Sequence, residues 1–268
     1  MIDATARVAD GARIGDGAEI GPNCIVGPQV EIGEGVRLIA NVHVTGATAI
    51  GAGSVVYPFA SLGTPPQSVH YRGGRTRLVI GPRCEIREGV TMNTGTEDGG
   101  GVTSVGERCL FMVGSHVAHD CHVGNGVTFA NLVTLGGHVC VGDNAFLGGF
   151  AGFHQFCRVG EGVMVAGMSP VRTDIIPFGM ARGENLRGLN VVGLRRRGAT
   201  KADVRLLRSA YQALFFGNGL FAERLEEVAR EFADAPAVGK IVAFIRAGGK
   251  RALMQPAADG DEADADLA

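Results

Sequence analysis

The chain has 268 residues, a formal net charge of −2, 43 glycines, no tryptophan and 6% aromatic residues. So small a charge gives no basis for binding nucleic acid or a membrane surface, and no apolar run is long enough to span a bilayer. Glycine at roughly twice its usual share, without the three-residue period of collagen, points to turns at fixed intervals.

The N-terminus, MIDATARVADGARIGDG, has no charged region followed by an apolar one. No secretory leader is expected there, so a cytoplasmic protein with reduced thiols is the expectation. From Ile2 onward an apolar residue recurs every sixth position: Ile2, Val8, Ile14, Ile20 and on to Leu62. The series resumes at Ile80, Ile86 and Met92, and again from Val105 to Val171, giving 26 hexads. The fifth place is small through most of the series, as in Ala18, Cys24, Ser115, Cys121 and Val127. A solenoid of short strands explains both places, with large side chains inside at place one and small ones beside a tight corner. Five of the six cysteines stand at place five and read as core residues rather than metal ligands.

Two stretches break the repeat, a first loop at 68–79 and a Gly-rich second loop at 94–104. The family resemblance set out below implies three hexads per coil, and on that count both leave from one face of the solenoid. His116, His119, His138 and His154 fall within five residues of one another modulo 18. At a rung spacing of about 4.8 Å they form an outward patch about 10 Å tall, under the two loops. Binding groups concentrate where loops interrupt a scaffold. His43 reads as a solvated surface residue, and His122 falls at the next corner, off the patch. No serine or cysteine stands at an outward position suited to covalent catalysis.

After Val171 the period fails. Residues 177–199 read as an irregular basic connection, with nine Arg and Lys against three Asp and Glu over 172–209. Thr200 and Asp203 form a capping-box start for a helix ending near Gly217. Two further amphipathic helices, LFAERLEEVAREFA and AVGKIVAFIRA, complete a helical domain over 200–252. Residues 253–268 hold five acids and read as a disordered acidic tail.

The repeat resembles that of the hexapeptide-repeat acyltransferases. The motifs HVAHD at 116–120, LGGH at 135–138, FHQFC at 153–157 and GLRRRG at 193–198, with the helical end, narrow the resemblance. Over about residues 1–252 the chain is similar to the acyl-[acyl carrier protein]–UDP-N-acetylglucosamine O-acyltransferases. That likeness implies a mainly β fold, a left-handed parallel β-helix over 1–176 with a C-terminal α-helical domain. It implies transfer of an (R)-3-hydroxyacyl group from acyl carrier protein to the sugar 3-hydroxyl, the first step of lipid A synthesis. It implies a homotrimer with no metal and no cofactor beyond the phosphopantetheine of the carrier protein.

The matching positions imply His119 as general base, Asp120 as its partner and Gly137 as backbone oxyanion donor. His116, His138, His154, Gln155, Gln67 and His70 would bind substrate. Asn190, Arg196 and Arg197 would hold the nucleotide, and Gly167 would leave room for a longer acyl chain. The chain departs from the family in its first loop, where Ser68 and His70 replace an acid and a lysine. Val192 replaces a common Glu, and Asn93–Thr96 replaces His-Arg-Gly-Thr. The first departure leaves open a 3-amino acceptor sugar. A zinc enzyme like the trimeric hexapeptide carbonic anhydrases, using His116 and His122 on one edge, and a non-catalytic scaffold are the competing readings.

Overall fold

In the computed structural model, which describes residues 1–257, the repeat winds into a left-handed parallel β-helix. Places six and one of most hexads form a two-residue strand, and places three and four form the turn. Every place-one residue lies in a strand except Ile2, which bridges to Ile20.

Three sheets result. The first face runs through Ile20, Leu38 and Val56 to Val165, the second through Val8, Val26 and Val44 to Val171, and the third through Ile14, Ile32 and Ile50 to Val159. Place-one and place-five side chains fill one continuous core, from Ala18 and Ile20 to Val171. The place-four residue often takes a left-handed conformation, with φ of 56° at Asn23 and 52° at Asn41, a region asparagine tolerates. Bulky residues take it too, as at Phe59 (68°) and Leu132 (61°). Each is held by a bond to the coil below, Phe59 N–H to Asn41 O at 3.2 Å and Leu132 N–H to Val113 O at 2.9 Å. The stacking of coils enforces a backbone that the local sequence disfavours.

On the second face Leu62 pairs with Met92, and Met92 with Val117, spacings of 30 and 25 residues in place of 18. Both loops therefore leave between the second and third faces. They are shorter than the sequence suggests. Residues 77–79 belong to the strand Arg77–Ile80 and residues 102–104 to the strand Val102–Val105, because alternate residues there, such as Leu78 and Thr103, are buried in the core.

The stretch 177–199 is not irregular. Strand Gly179–Arg182 adds a further rung to the first face, with Ala181 beside Val165, and pairs with Asn185–Leu189 as an antiparallel hairpin. The period is hidden because Ile175, not residue 177, takes the next inward place beside Val159. Helix α1 (Val191–Arg196) follows, its N-terminus capped by the Asn190 side chain. Helix α2 (Lys201–Phe216) starts on the Thr200–Asp203 capping box and stops at Gly217, and α3 (Phe221–Glu231) and α4 (Pro236–Arg246) pack against it.

Helix α4 lies against the last coil of the third face. The Arg158 guanidinium sits 4.3 Å from the Phe244 ring centroid, and Lys240 pairs with Glu161 at 2.6 Å. The tail expected from 253 onward is ordered through 257: Leu253 bridges to Asp174, Pro256 to Leu186, and Met254 is buried. The rest of the acidic tail, 258–268, lies outside the described residues.

Candidate active site

The corner between the second and third faces gathers the histidines. His116 is in the strand His116–Val117, and His119–Asp120 form the turn after it. Gly137–His138 and Gln155–Phe156 are the matching turns of the next two coils.

Asp120 anchors the group. It is 2% exposed, with φ of 59°. Thr96 of the second loop donates to it twice, N–H to Oδ1 at 2.8 Å and Oγ1 to Oδ2 at 2.6 Å. The Asp120 N–H donates to Thr103 Oγ1 at 2.8 Å. The glycines of that loop now have a reason. A Cβ on Gly99 would stand 2.2 Å from the Asp120 carboxylate carbon, and one on Gly95 2.7 Å from Oδ1. The Gly-rich stretch is a wrapping for one carboxylate.

Asp120 Oδ2 lies 2.9 Å from Nδ1 of His119, which is itself 8% exposed. A carboxylate only accepts, so Nδ1 carries the proton and Nε2 presents a lone pair. One coil up, Gly137 faces this ring. A Cβ there would stand 2.4 Å from His119 Cε1 and 2.7 Å from Nε2, so only glycine fits. Among the described residues the Gly137 N–H meets no acceptor.

His138, with φ of 62°, meets the His119 ring edge-on at 5.1 Å between centroids and stacks on Phe156 at 4.4 Å. Its Nε2 lies 3.8 Å from Asp120 Oδ2. Burial holds His138 below the ordinary imidazole value, against the pull of Asp120. Burial, and then the nearby His119, lower His116 likewise. His116 Nδ1 is 2.7 Å from Thr91 Oγ1. This corner therefore offers a buried, oriented base beside a free backbone donor and two histidines held toward neutrality.

His119, Asp120 and His138 are also close enough to share a metal ion, their ligand atoms lying within 4.8 Å of one another. His116 and His122, the pair expected on one edge in the zinc reading, stand on adjacent faces on either side of the corner. His122 stands on the third face, exposed, with Nδ1 2.8 Å from Ser104 Oγ, whereas His116 is on the second.

A family model described as UDP-N-acetylglucosamine O-acyltransferase, domain 2, matches residues 174–254. The chain is 58% identical over 259 residues to the acyl-[acyl-carrier-protein]–UDP-N-acetylglucosamine O-acyltransferase of Azorhizobium caulinodans, covering 96% of this chain and 95% of that one. It is 45% identical over 258 residues to the enzyme of the same name from Agrobacterium fabrum, covering 95% of each. The crystal structure of UDP-N-acetylglucosamine O-acyltransferase (LpxA) from Moraxella catarrhalis superposes with a TM-score of 0.92 at 38% identity, over 95% of this chain and 99% of that one. The chain belongs to the acyl-[acyl-carrier-protein]–UDP-N-acetylglucosamine O-acyltransferases.

Not every residue expected of this O-acyltransferase stands at the histidine corner. Gln67 and His70 are exposed on the first loop, which leaves from that corner. Its Gly74 N–H donates to Glu97 of the second loop at 2.5 Å, so the loops brace each other. His154 and Gln155 are exposed on the next coil but one, in contact with Arg251.

Asn190, Arg196 and Arg197 lie elsewhere. The Asn190 amide donates to Gly162 O at 3.0 Å, in the turn between the third and first faces. Arg197 crowds the same glycine, and burial lowers its pKa. Arg196 is exposed at the end of α1, so the RRR motif ends a helix instead of lying in an irregular connection. Gly167 stands exposed at the third corner, between the first and second faces, where a Cβ would press on Gly149 O at 3.1 Å. Sequence reasoning missed Thr96, Thr103, Phe156, Lys250 and Arg251. Of these Thr96 and Thr103 carried a signal, their place in the stretch that breaks the repeat, and Phe156 stood within the FHQFC motif.

Proposed function

We propose that this O-acyltransferase moves an (R)-3-hydroxyacyl group from acyl carrier protein to the 3-hydroxyl of UDP-N-acetylglucosamine, the opening step of lipid A synthesis. The His119–Asp120 pair against Gly137 carries the reading. A sugar hydroxyl is a poor nucleophile and needs a base titrating near neutrality. His119 Nε2 takes the hydroxyl proton, and Asp120 stabilises the imidazolium through Nδ1–H. The oxyanion of the tetrahedral intermediate is met by the Gly137 N–H. The proton on His119 then passes to the leaving phosphopantetheine thiolate. No covalent enzyme intermediate is needed, and no cofactor beyond the carrier's own arm.

The separation of the corners supports a homotrimer. Within one chain, α4 lies on the third face between the histidine corner and Asn190, Arg196 and Arg197. A nucleotide reaching His119 and those arginines together needs the arginine corner of a neighbouring copy. Arginine suits its phosphates through paired hydrogen bonds. Gly167 of a neighbour would border the acyl chain and admit a longer one. All six cysteines are free thiols, in keeping with the cytoplasm. Among the described residues no helix is long and apolar enough to cross a membrane.

The test is acyl transfer from hydroxyacyl carrier proteins of several lengths, on the wild type and His119→Ala. The variant loses about 10²- to 10⁴-fold in kcat; retention of most activity would sink the base assignment. A parallel arm replaces the sugar by its 3-amino analogue, the reading that Ser68 and His70 leave open. Reaction with the amine alone makes the product an amide. A third arm adds a chelator, and loss of activity together with stoichiometric zinc would establish the metal reading at His119, Asp120 and His138.

A further inference from the structure

The chain after α4 is pinned to the last coil. Asp174 N–H donates to Ala252 O at 2.8 Å, Met254 N–H to Asp174 O at 2.8 Å, and Leu186 N–H to Gln255 O at 2.9 Å. The buried Asp174 carboxylate takes Arg158 Nε at 2.7 Å, and Arg158 also donates to Phe244 O of α4 at 3.2 Å. This strap brings the two residues before it, Lys250 and Arg251, to the histidine corner.

Arg251 Nε donates to Gln155 O at 2.8 Å, and its Nη2 lies 2.6 Å from His154 Nδ1. A guanidinium has donors only. Nδ1 of His154 must therefore accept, which places the ring proton on Nε2. The Gln155 carbonyl is also 3.3 Å from the same Nδ1. Without Arg251 the ring is free to donate to that carbonyl, and that is the opposite tautomer. Arg251 thus chooses between two proton positions on His154. Lys250 Nζ stands 4.0 Å from the centroid of Phe156, whose ring stacks on His138 at 4.4 Å and 7°. A cation and an imidazole so near one ring centre occupy opposite faces. Phe156 is clamped between them, and the plane of His138 follows.

We propose that Arg251 is a positioning residue for acyl transfer: it fixes His154 as a neutral Nε2–H donor toward an acceptor oxygen of the bound substrate, while Lys250 and Phe156 fix the plane of His138. The proposal rests on the acyl-transfer reading above. The acceptor is a phosphate, hydroxyl or carbonyl oxygen, supplied by the sugar nucleotide or by the acyl donor.

The test uses the full chain with ¹⁵N-labelled histidine. Two-bond proton–nitrogen correlation reads the tautomer of each ring, and His154→Gln assigns the signal. The wild type shows His154 protonated at Nε2, and Arg251→Ala moves it toward Nδ1. Arg251→Met keeps the length of the stem without a donor and guards against a variant that misfolds; Arg251→Lys keeps a donor and restores most of the wild-type signal. In turnover, Arg251→Ala raises the KM of one substrate about tenfold with kcat within about twofold. The substrate whose KM moves supplies the acceptor oxygen. In the His154→Gln background the same substitution changes that KM by less than about twofold. An unchanged His154 tautomer in both Arg251→Ala and Arg251→Met overturns the proposal, and so do effects of Arg251→Ala and His154→Gln that simply multiply. The tautomer readout needs no turnover, so a wild type that failed to transfer acyl groups would refute the function and leave this test standing.

Discussion

In the first two coils, the corner between the second and third faces carries Asp10–Gly11 and Pro28–Gln29, all exposed. Several coils later the same corner carries His119–Asp120, and both are buried. The strands on either side pair in the same parallel register and fill the same core. Cover makes the difference. The outward strand places of the early coils hold exposed rungs such as Arg37–Glu19 at 3.0 Å, which contribute little to stability. The later corner stands under two loops inserted at successive coils, and the second loop supplies Thr96 and two glycines to Asp120. A solenoid corner becomes a site when an insertion desolvates it and satisfies the carboxylate thereby buried.

The comparison breaks most sharply at Gly137. Gly137→Ala drives a methyl group into the His119 ring, and we expect kcat to fall about 10²-fold, the scale of general-base catalysis. Pro28→Ala, at the same corner of an early coil, leaves kcat unchanged. Steady-state kinetics of both variants, with circular dichroism to check the fold, decides. Near-normal turnover by Gly137→Ala would mean that the ring is free to move and that the corner is not preorganised. A smaller effect is expected at Thr96. Thr96→Val keeps the shape but removes the Oγ1 bond to Asp120, at a cost of about 1.5–3 kcal/mol for a hydrogen bond to a charge. Activity falls with stability there, about tenfold. Thr48→Val, in the strand that follows the same corner of the third coil, removes a bond from buried Oγ1 to Thr45 O and costs about 0.5–1.5 kcal/mol with no change in kcat. Thermal denaturation and turnover of the pair separate the two roles.

The scaffold was legible because one physical demand repeats. A large residue at place one and a small one at place five mark every rung, and with the three hexads per coil that the family likeness implies, counting in eighteens brings His116, His119, His138 and His154 to one corner. The fittings were not legible. Thr96 reaches Asp120 across 24 residues and Arg251 reaches His154 across 97, and neither obeys the period. The left-handed backbone of His138 comes from its N–H bond to His119 O in the coil below, at 3.0 Å, and histidine itself gives no such signal. The last rung is hidden in the sequence because Ile175 enters the core two residues early. The helix that carries the first two arginines of GLRRRG was hidden because it spans only Val191–Arg196, too short for an apolar period to show.

The smallest expected effect is on stability against pH, and it follows from burial at the later corner. His116 and His138 are both held below the ordinary value of 6.5, chiefly because burial penalises the charged ring. Unfolding returns each to a water-exposed value. As pH falls through about 6.5 the unfolded chain takes up these protons before the folded one does, so the unfolded state binds more protons and stability declines. The decline continues until the pH has passed the lowered folded values, and below them the loss is complete. Above about pH 7.5 neither ring contributes a slope. His116→Gln removes one of the two, so its melting temperature falls less steeply than that of the wild type between about pH 7 and 5, by about 1–2 °C over the range. The difference between the two curves isolates His116, since carboxylates titrating nearby act alike on both. A variant curve parallel to that of the wild type would show that the ring is hydrated in solution, and that the cover over this corner is looser than the packing of Thr91 and His119 around His116 requires.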